Sequence, residues 1–215
     1  MPKKSYLKST LKVLNRIPSL TSVLEIGTGS GIFLDLLYDE GFKNLIGIEP
    51  SIAAINFASP QARPWIRHGI FEEKNYEPES FDLICCFMTL EHVRDPMKIA
   101  LSAHRLLRKG GAFVTVTHDY ESFLNRFLGK RSPIIDIEHM QLFSKKSIEH
   151  LLLNGGFHSI KSNRFQNRYA ISYWLRLLPL PNNMKVKINK CLTLLGLAGI
   201  KLTLNVGNTY AVGFK

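Results

Sequence analysis

Val23-Leu24-Glu25-Ile26-Gly27-Thr28-Gly29-Ser30-Gly31 carries the strongest structural signal in the chain. A short apolar run breaks into three alternate glycines, and an amphipathic pattern from Ile32 to Glu40 follows at once. Gly27, Gly29 and Gly31 tolerate backbone angles that side chains forbid, and they let the main chain approach a ligand closely. The helix behind them aims its free N–H groups at the same spot. Strand, glycine turn and helix in this order form a cradle for a nucleotide.

The spacing narrows the ligand. A dinucleotide fingerprint, G-x-G-x-x-G, would place its third glycine at position 32, which is Ile32. The pattern here is G-x-G-x-G, and Glu25 puts a negative charge at the strand end, where a diphosphate would otherwise sit. A cationic ligand with an adenosine tail suits that field better. Leu45-Ile46-Gly47-Ile48-Glu49-Pro50-Ser51 reads as a second strand ending in a carboxylate, at the distance where a ribose diol needs an acceptor.

Strand and helix patterns alternate through the first half of the chain. A helix from Tyr6 to Arg16 ends before Pro18. Strands are expected at Ser22 to Ile26, Leu45 to Glu49, Trp65 to Gly69, Phe81 to Met88 and Ala112 to Thr117, with helices at Ile32 to Glu40, Ile52 to Ala58 and Pro96 to Leu107. Such alternation predicts an α/β fold whose parallel sheet is covered on both faces, with ligands at the carboxyl ends of the strands.

The motifs resemble those of the class I, Rossmann-like S-adenosylmethionine-dependent methyltransferases. Beyond the glycine turn and Glu49, Ser80-Phe81-Asp82-Leu83-Ile84-Cys85-Cys86-Phe87-Met88 is similar to the family's fourth strand, and Thr89-Leu90-Glu91-His92-Val93 to the L-E-H motif after it. Leu106-Leu107-Arg108-Lys109-Gly110-Gly111 resembles the L-x-P-G-G turn into the fifth strand, with Lys109 where proline is usual. Phe143-Ser144, Gly155-Gly156-Phe157 and Gly207-Asn208-Thr209-Tyr210-Ala211-Val212 match the approaches to the sixth and seventh strands. The resemblance implies a doubly wound, mostly parallel seven-stranded sheet of order 3-2-1-4-5-7-6, its last strand antiparallel, with helices on both faces. It also implies S-adenosyl-L-methionine as cofactor and S-adenosyl-L-homocysteine as product. Glu25, Gly27, Thr28, Gly29, Gly31, Glu49, Pro50, Thr89, Leu90 and Glu91 fall at the cofactor positions. Many relatives carry Gly-Asp after the third strand; here Gly69 precedes Ile70, so Ile70 and Phe71 would bracket the adenine, with Glu72 as substitute acceptor. The motif set is similar to the ubiquinone-biosynthesis-like enzymes and the type 11 and 23 methyltransferase groups, including bacterial members found with cell-surface glycan and lipid pathways.

Composition sets the frame. The 215 residues, 45% of them hydrophobic, suffice for a single methyltransferase domain over 1–215 without metals or disulfides. Three cysteines, two adjacent, give neither a disulfide framework nor a metal site, and no metal is expected. The N-terminus lacks a signal-peptide core and no window is long enough to span a bilayer, so a cytoplasmic protein is expected. The net charge is +11, and no acidic residue follows Glu149, whereas nine cations do: Lys161, Arg164, Arg168, Arg176, Lys185, Lys187, Lys190, Lys201 and Lys215. Lys3, Lys4, Lys8, Lys12 and Arg16 precede the first acid, Glu25. Both ends are therefore basic, which favours an anionic partner. Candidates are an anionic or lipid-linked acceptor, an acidic membrane surface at the inner face, or nucleic acid, the weakest of the three because no N-P-P-Y-like tetrapeptide follows the fourth strand. Plain solubility charge is the alternative.

Two segments stand outside the alternation. Residues 119–142 form a long connection, expected to be a lid or substrate loop. Residues 166–200 are expected as a helical insertion between the last two strands, either lying at a lipid boundary through Tyr173, Trp174, Leu175 and its arginines or capping the sheet edge. Three histidines compete as general base: His92 after Glu91, His139 beside Asp136 and Glu138, and His118 at the fifth strand's end. Glu91 would orient either the cofactor's amino-acid end or His92. Taken together, the sequence predicts a methyltransferase acting on an oxygen nucleophile of a small molecule, a sugar or a quinone-like phenol. An RNA methyltransferase and a non-catalytic scaffold of the same fold are the rivals.

Overall fold

The computed structural model describes residues 3–17, 21–178 and 180–215. Pro18, expected to end the first helix, and Pro179 of the insertion lie outside them, as do the side chains of Lys3, Lys4 and Lys12. In chain order the first half comprises α1 (Lys3–Leu14), β1 (Ser22–Ile26), α2 (Ile32–Asp39), β2 (Asn44–Glu49), α3 (Ile52–Ile55), β3 (Ile66–His68), β4 (Phe81–Phe87), α4 (Pro96–Leu106) and β5 (Leu107–His118). The second half comprises α5 (Phe123–Leu128), α6 (Lys145–Asn154), β6 (His158–Ala170), α7 (Ile171–Leu177), α8 (Asn182–Leu194) and β7 (Lys201–Phe214).

These strands form one seven-stranded sheet in the order β3-β2-β1-β4-β5-β7-β6. Pairings from β3 through β5 are parallel, and β7 is antiparallel to both β5 and β6. Period-two alternation divides the core. Val23, Leu83, Cys85 and Val114 face Phe33, Leu34 and Leu37 of α2 and Tyr6 and Val13 of α1. Leu24, Ile84, Cys86 and Phe113 face Ile99 and Ala103 of α4 and Ile148 and Leu152 of α6. Every residue of β4 is buried, as a central strand covered on both faces requires. Each large apolar side chain taken fully out of water stabilises by about 1.5–3 kcal/mol.

Asp82 is the polar exception on β4. Its Oδ2 accepts from the backbone N–H of Thr21 at 2.8 Å and of Ser22 at 3.0 Å, and its Oδ1 from Arg108 at 3.0 Å. It thereby fixes the entry of β1 beside β4 and the start of β5. Arg108 to Gly111, expected as a turn, form an irregularity inside β5 opposite Asp82. A Cβ at Gly111 would lie 2.9 Å from both the Asp82 and Arg108 carbonyl oxygens, so only glycine lets the strands close there.

Other boundaries differ from expectation. The first helix starts earlier, at Lys3, and ends at Leu14. The helix expected from Ile52 to Ala58 is one turn, because Pro60 disfavours helical geometry just upstream. β3 is only three residues long. β6 continues through Ala170, with a register shift between Phe165 and Asn167, so the helical part of the 166–200 segment begins at Ile171. Residues 119–142 contain α5 and a short 3-10 turn at Gly129–Arg131. Among the described residues no helix is long and apolar enough to cross a membrane.

Candidate active site

β1 delivers Ile26 to the carboxyl edge of the sheet, and the chain turns through Gly27 at φ 77, Gly29 at φ 62 and Gly31 at φ 70 into α2. The N–H groups of Gly27 and Thr28 both donate to the Ile48 carbonyl of the neighbouring strand, at 2.9 and 3.0 Å. Gly27 packs directly on Thr89 after β4: a Cβ there would lie 2.1 Å from Thr89 Oγ1. Glu49, mostly buried at the end of β2, completes the loop from the other side, its two carboxylate oxygens accepting from Gly29 N–H at 2.7 Å and Ser51 N–H at 2.9 Å. Each of those oxygens keeps a second lone pair for a diol.

Two further carboxylates are buried at this edge of a protein with net charge +11. Glu25 accepts from the Thr28 hydroxyl. Glu91 is fully buried; its Oε1 accepts from His118 N–H at 2.8 Å, while Oε2 has no hydrogen-bond partner among the described residues. Desolvation raises the Glu91 pKa, with the His118 N–H opposing. Tyr6 of α1 is buried within electrostatic reach of both acids and stacks on Phe87 at 4.6 Å; desolvation above all, then neighbouring charges, push its pKa up. Buried negative charge with an unpaired oxygen is costly unless a cation arrives to meet it.

The three candidate histidines form one cluster. The His139 ring stacks on His92 at 4.7 Å and meets His118 edge-on at 5.2 Å. His92 Nδ1 lies 2.9 Å from the Glu138 carbonyl, so the lid segment, and not Glu91, orients it. His139 Nδ1 is 2.9 Å from Asp136 Oδ1, an electrostatic contact without hydrogen-bond alignment. His118 Nδ1 faces Asn208 Oδ1 at 2.9 Å. Desolvation lowers the His118 pKa, and the bond to Asn208 only partly offsets it. The lid is tied down through Glu91, whose carbonyl accepts from Met140 N–H at 2.9 Å and Gln141 N–H at 3.3 Å, and through Gln141, whose side chain donates to the Val93 carbonyl.

Other positions separate into those that face the mouth and those that do not. Leu90 is fully buried in the core, so its side chain presents nothing to a ligand. Pro50 is exposed, and its carbonyl lies 3.1 Å from His68 Nε2. Ile70 is 80% exposed, whereas Phe71 stacks on Tyr76 at 6.1 Å and is partly covered. Glu72 pairs with Lys74 at 3.2 Å. Sequence reasoning missed Ile52, 59% exposed at the start of α3 beside Glu49, which adds a second apolar surface at this edge. It also missed Asn208, buried where β7 passes the end of β5; a polar residue opening an apolar strand was the available signal. Gly47 is a third: its Cβ would lie 2.6 Å from Thr28 Cγ2, so β2 must be bare there for the loop to sit down.

The family model described as a methyltransferase domain matches residues 3–162. The chain belongs to that family. A ubiquinone biosynthesis O-methyltransferase of Vibrio atlanticus is 27% identical over 114 residues, covering 50% of this chain and 48% of that protein. The counterpart from Hahella chejuensis is 30% identical over 115 residues, with 50% and 48% covered. The chain thus spans about half the length of the curated relatives it matches. Among solved structures, a SAM-dependent methyltransferase of Archaeoglobus fulgidus superposes with a TM-score of 0.66 at 17% identity, covering 99% of this chain and 94% of that one. A phosphoethanolamine N-methyltransferase of Haemonchus contortus, crystallised with S-adenosyl-L-methionine, superposes at 0.58 and 16% identity, covering 97% and 52%. These likenesses carry the fold.

The residues present fit S-adenosylmethionine, the family's cofactor. The bare Gly27–Gly31 backbone leaves room for it, Glu49 has lone pairs for a ribose, and buried Glu25 and Glu91 match a ligand carrying ammonium and sulfonium charge.

Proposed function

We propose that this methyltransferase-domain protein methylates an oxygen nucleophile on a small anionic or lipid-linked acceptor, of the sugar or quinone-like phenol kind. The observation that carries the reading is the His92–His118–His139 cluster roofed by the 119–142 segment beside the cofactor edge. Bound S-adenosylmethionine supplies an electrophilic methyl group on a sulfonium. Glu25, Glu49 and Glu91 hold negative potential at the mouth, and the glycine backbone fixes position; alignment of this kind contributes roughly 7–11 kcal/mol. With His118 Nδ1–H donated to Asn208, Nε2 is left as a lone pair able to take the proton of an acceptor hydroxyl. A lowered pKa keeps that ring neutral at pH 7. His139, held near Asp136, and His92 wall the acceptor.

The test is methyl incorporation from labelled S-adenosylmethionine into a panel of catechols, quinols, sugar phosphates and RNA. Transfer to oxygen, lowered about 10²- to 10⁴-fold by His118→Ala with S-adenosylhomocysteine affinity retained, supports the reading. Transfer to RNA alone overturns it, and a loss confined to His92→Ala or His139→Ala moves the base to that ring.

A peripheral membrane contact is a second element of the reading. α8 exposes Val186 and Leu194 beside Lys185, Lys187 and Lys190, the mixture that settles at an acidic headgroup boundary. Sedimentation with anionic but not neutral vesicles, lost in Val186→Asp/Leu194→Asp, checks it.

A further inference from the structure

The outer face of β6 and β7 is left uncovered beside α1, and a groove of about 1240 Å³ opens there. Lys8 and Arg16 of the α1 segment line one wall, and Lys161, Arg164, Arg168 and Lys201 line the sheet side. Among the described residues no carboxylate contributes to the lining and none of these six cations belongs to an ion pair. Lys161 and Arg164 stand before the register shift between Phe165 and Asn167 and Arg168 beyond it, so the groove runs along β6 across that irregularity. Six unpaired cations held in one concavity repel one another, a cost that a matching anion removes.

We infer that this groove is a second binding site, separate from the cofactor edge, for a small ligand carrying two or more phosphates. The cations are spread along the strands and not converged on one point, which suits a diphosphate or a longer phosphate chain better than a single anion. They line a concavity, which a flat bilayer surface cannot fill. Single-stranded nucleic acid wants a series of open aromatic faces. Here Tyr169 and Tyr173 stack on each other at 4.2 Å and Tyr169 meets Trp174 edge-on at 4.9 Å, so the rings engage one another and present no series of open faces. The phosphate chain can be free or part of a larger acceptor such as a diphosphate-linked sugar.

The experiment is calorimetric titration of the full chain with pyrophosphate, tripolyphosphate and a nucleoside diphosphate sugar at low salt, repeated for Arg164→Gln/Arg168→Gln and for Lys185→Gln/Lys190→Gln, which removes the same charge from α8. Saturable binding that weakens at least tenfold in the groove variant and less than twofold in the α8 variant is expected. Tighter binding of the sugar conjugate than of pyrophosphate identifies the acceptor as the source; equal binding identifies the free phosphate chain. S-adenosylhomocysteine affinity and the melting temperature serve as controls for the fold, and unchanged values separate failure here from failure of the methyltransferase reading. Equal losses in both variants, absence of saturable binding, or preferential binding of single-stranded RNA or anionic vesicles with the same groove-variant sensitivity overturns the inference.

Discussion

Gly27→Ala places a single methyl group where the glycine loop meets the end of β4. At φ 77 the residue lies in the left-handed region, where an L side chain costs about 1–2 kcal/mol relative to glycine. The new Cβ would stand 2.1 Å from Thr89 Oγ1, 2.7 Å from its Cγ2 and 2.9 Å from its Cβ. Rotating Thr89 cannot empty both clashing positions, because two of the three substituents on its Cβ are heavy atoms, and it breaks the hydroxyl's 3.0 Å bond to the Phe87 carbonyl, a loss of roughly 1 kcal/mol. Rotation does not move Thr89 Cβ, so the loop and β4 must part by a few tenths of an ångström, and overpacking adds about 1 kcal/mol more. The sum is about 3–4 kcal/mol, a fall in Tm of roughly 10 °C for a domain of this size. Circular dichroism melts measure it, and calorimetry with S-adenosylhomocysteine should show binding lost. Thr89→Gly removes the clashing atoms but not the backbone strain, so the double variant should be about 2 kcal/mol more stable than additivity predicts. A single variant melting within 2 °C of the parent, or strict additivity in the pair, refutes the packing argument.

Asp82→Asn should cost roughly 2 kcal/mol at pH 7 by urea unfolding, because the charged acceptor of two N–H groups and Arg108 is lost. Desolvation raises the Asp82 pKa, but the Thr21 N–H, Arg108 and the Ser22 N–H outweigh it, so the net shift is downward. A depressed folded pKa means stabilisation present above about pH 4 and lost as the pH falls through the folded value; the variant should therefore show a flatter acid limb. For Glu91 the sign reverses: its raised pKa makes the ionised form a penalty that is absent below about pH 4 and grows as the pH rises through the folded value. Glu91→Gln should leave the ligand-free protein at least as stable at pH 7 in a thermal melt, yet bind S-adenosylmethionine about tenfold more weakly by calorimetry. If His118 is the base, activity falls as the pH drops through its lowered pKa, below about 6.5. Asn208→Ala should move that limb to lower pH and Asn208→Asp to higher pH, and a kcat/KM profile that does not move in either variant removes His118 from the role.

What was legible in the sequence was whatever depends on neighbours along the chain. β1, β2 and β4 were found nearly residue for residue because central strands buried on both faces read as unbroken apolar runs. The glycine loop and Glu49 were found because their spacing is local, and the acid reaches Gly29 N–H across twenty positions. Contacts across the sheet were not legible. Nothing near Gly27 names Thr89 as the atom it must clear, and nothing near His118 names Asn208, ninety positions away, as its partner. The clustering of His92, His118 and His139 follows from where β4, β5 and the lid end, so each histidine looked like an independent candidate when read along the chain.

The charge pattern needed the structure most. Counting gave a basic tail without acids, which is compatible with solubility, a membrane, RNA or a phosphorylated ligand alike. Folding sorts those charges into two environments with opposite sign. Glu25, Glu49 and Glu91 are buried at the carboxyl edge of the parallel strands, where water is excluded and each charge acts strongly over a few ångströms. Six of the cations line one groove, Lys8 and Arg16 from the α1 segment and Lys161, Arg164, Arg168 and Lys201 from β6 and β7. A cationic cofactor and an anionic ligand can then occupy one small domain at different places, the first at the carboxyl ends of β1, β2 and β4 and the second in the groove that α1 shares with β6 and β7.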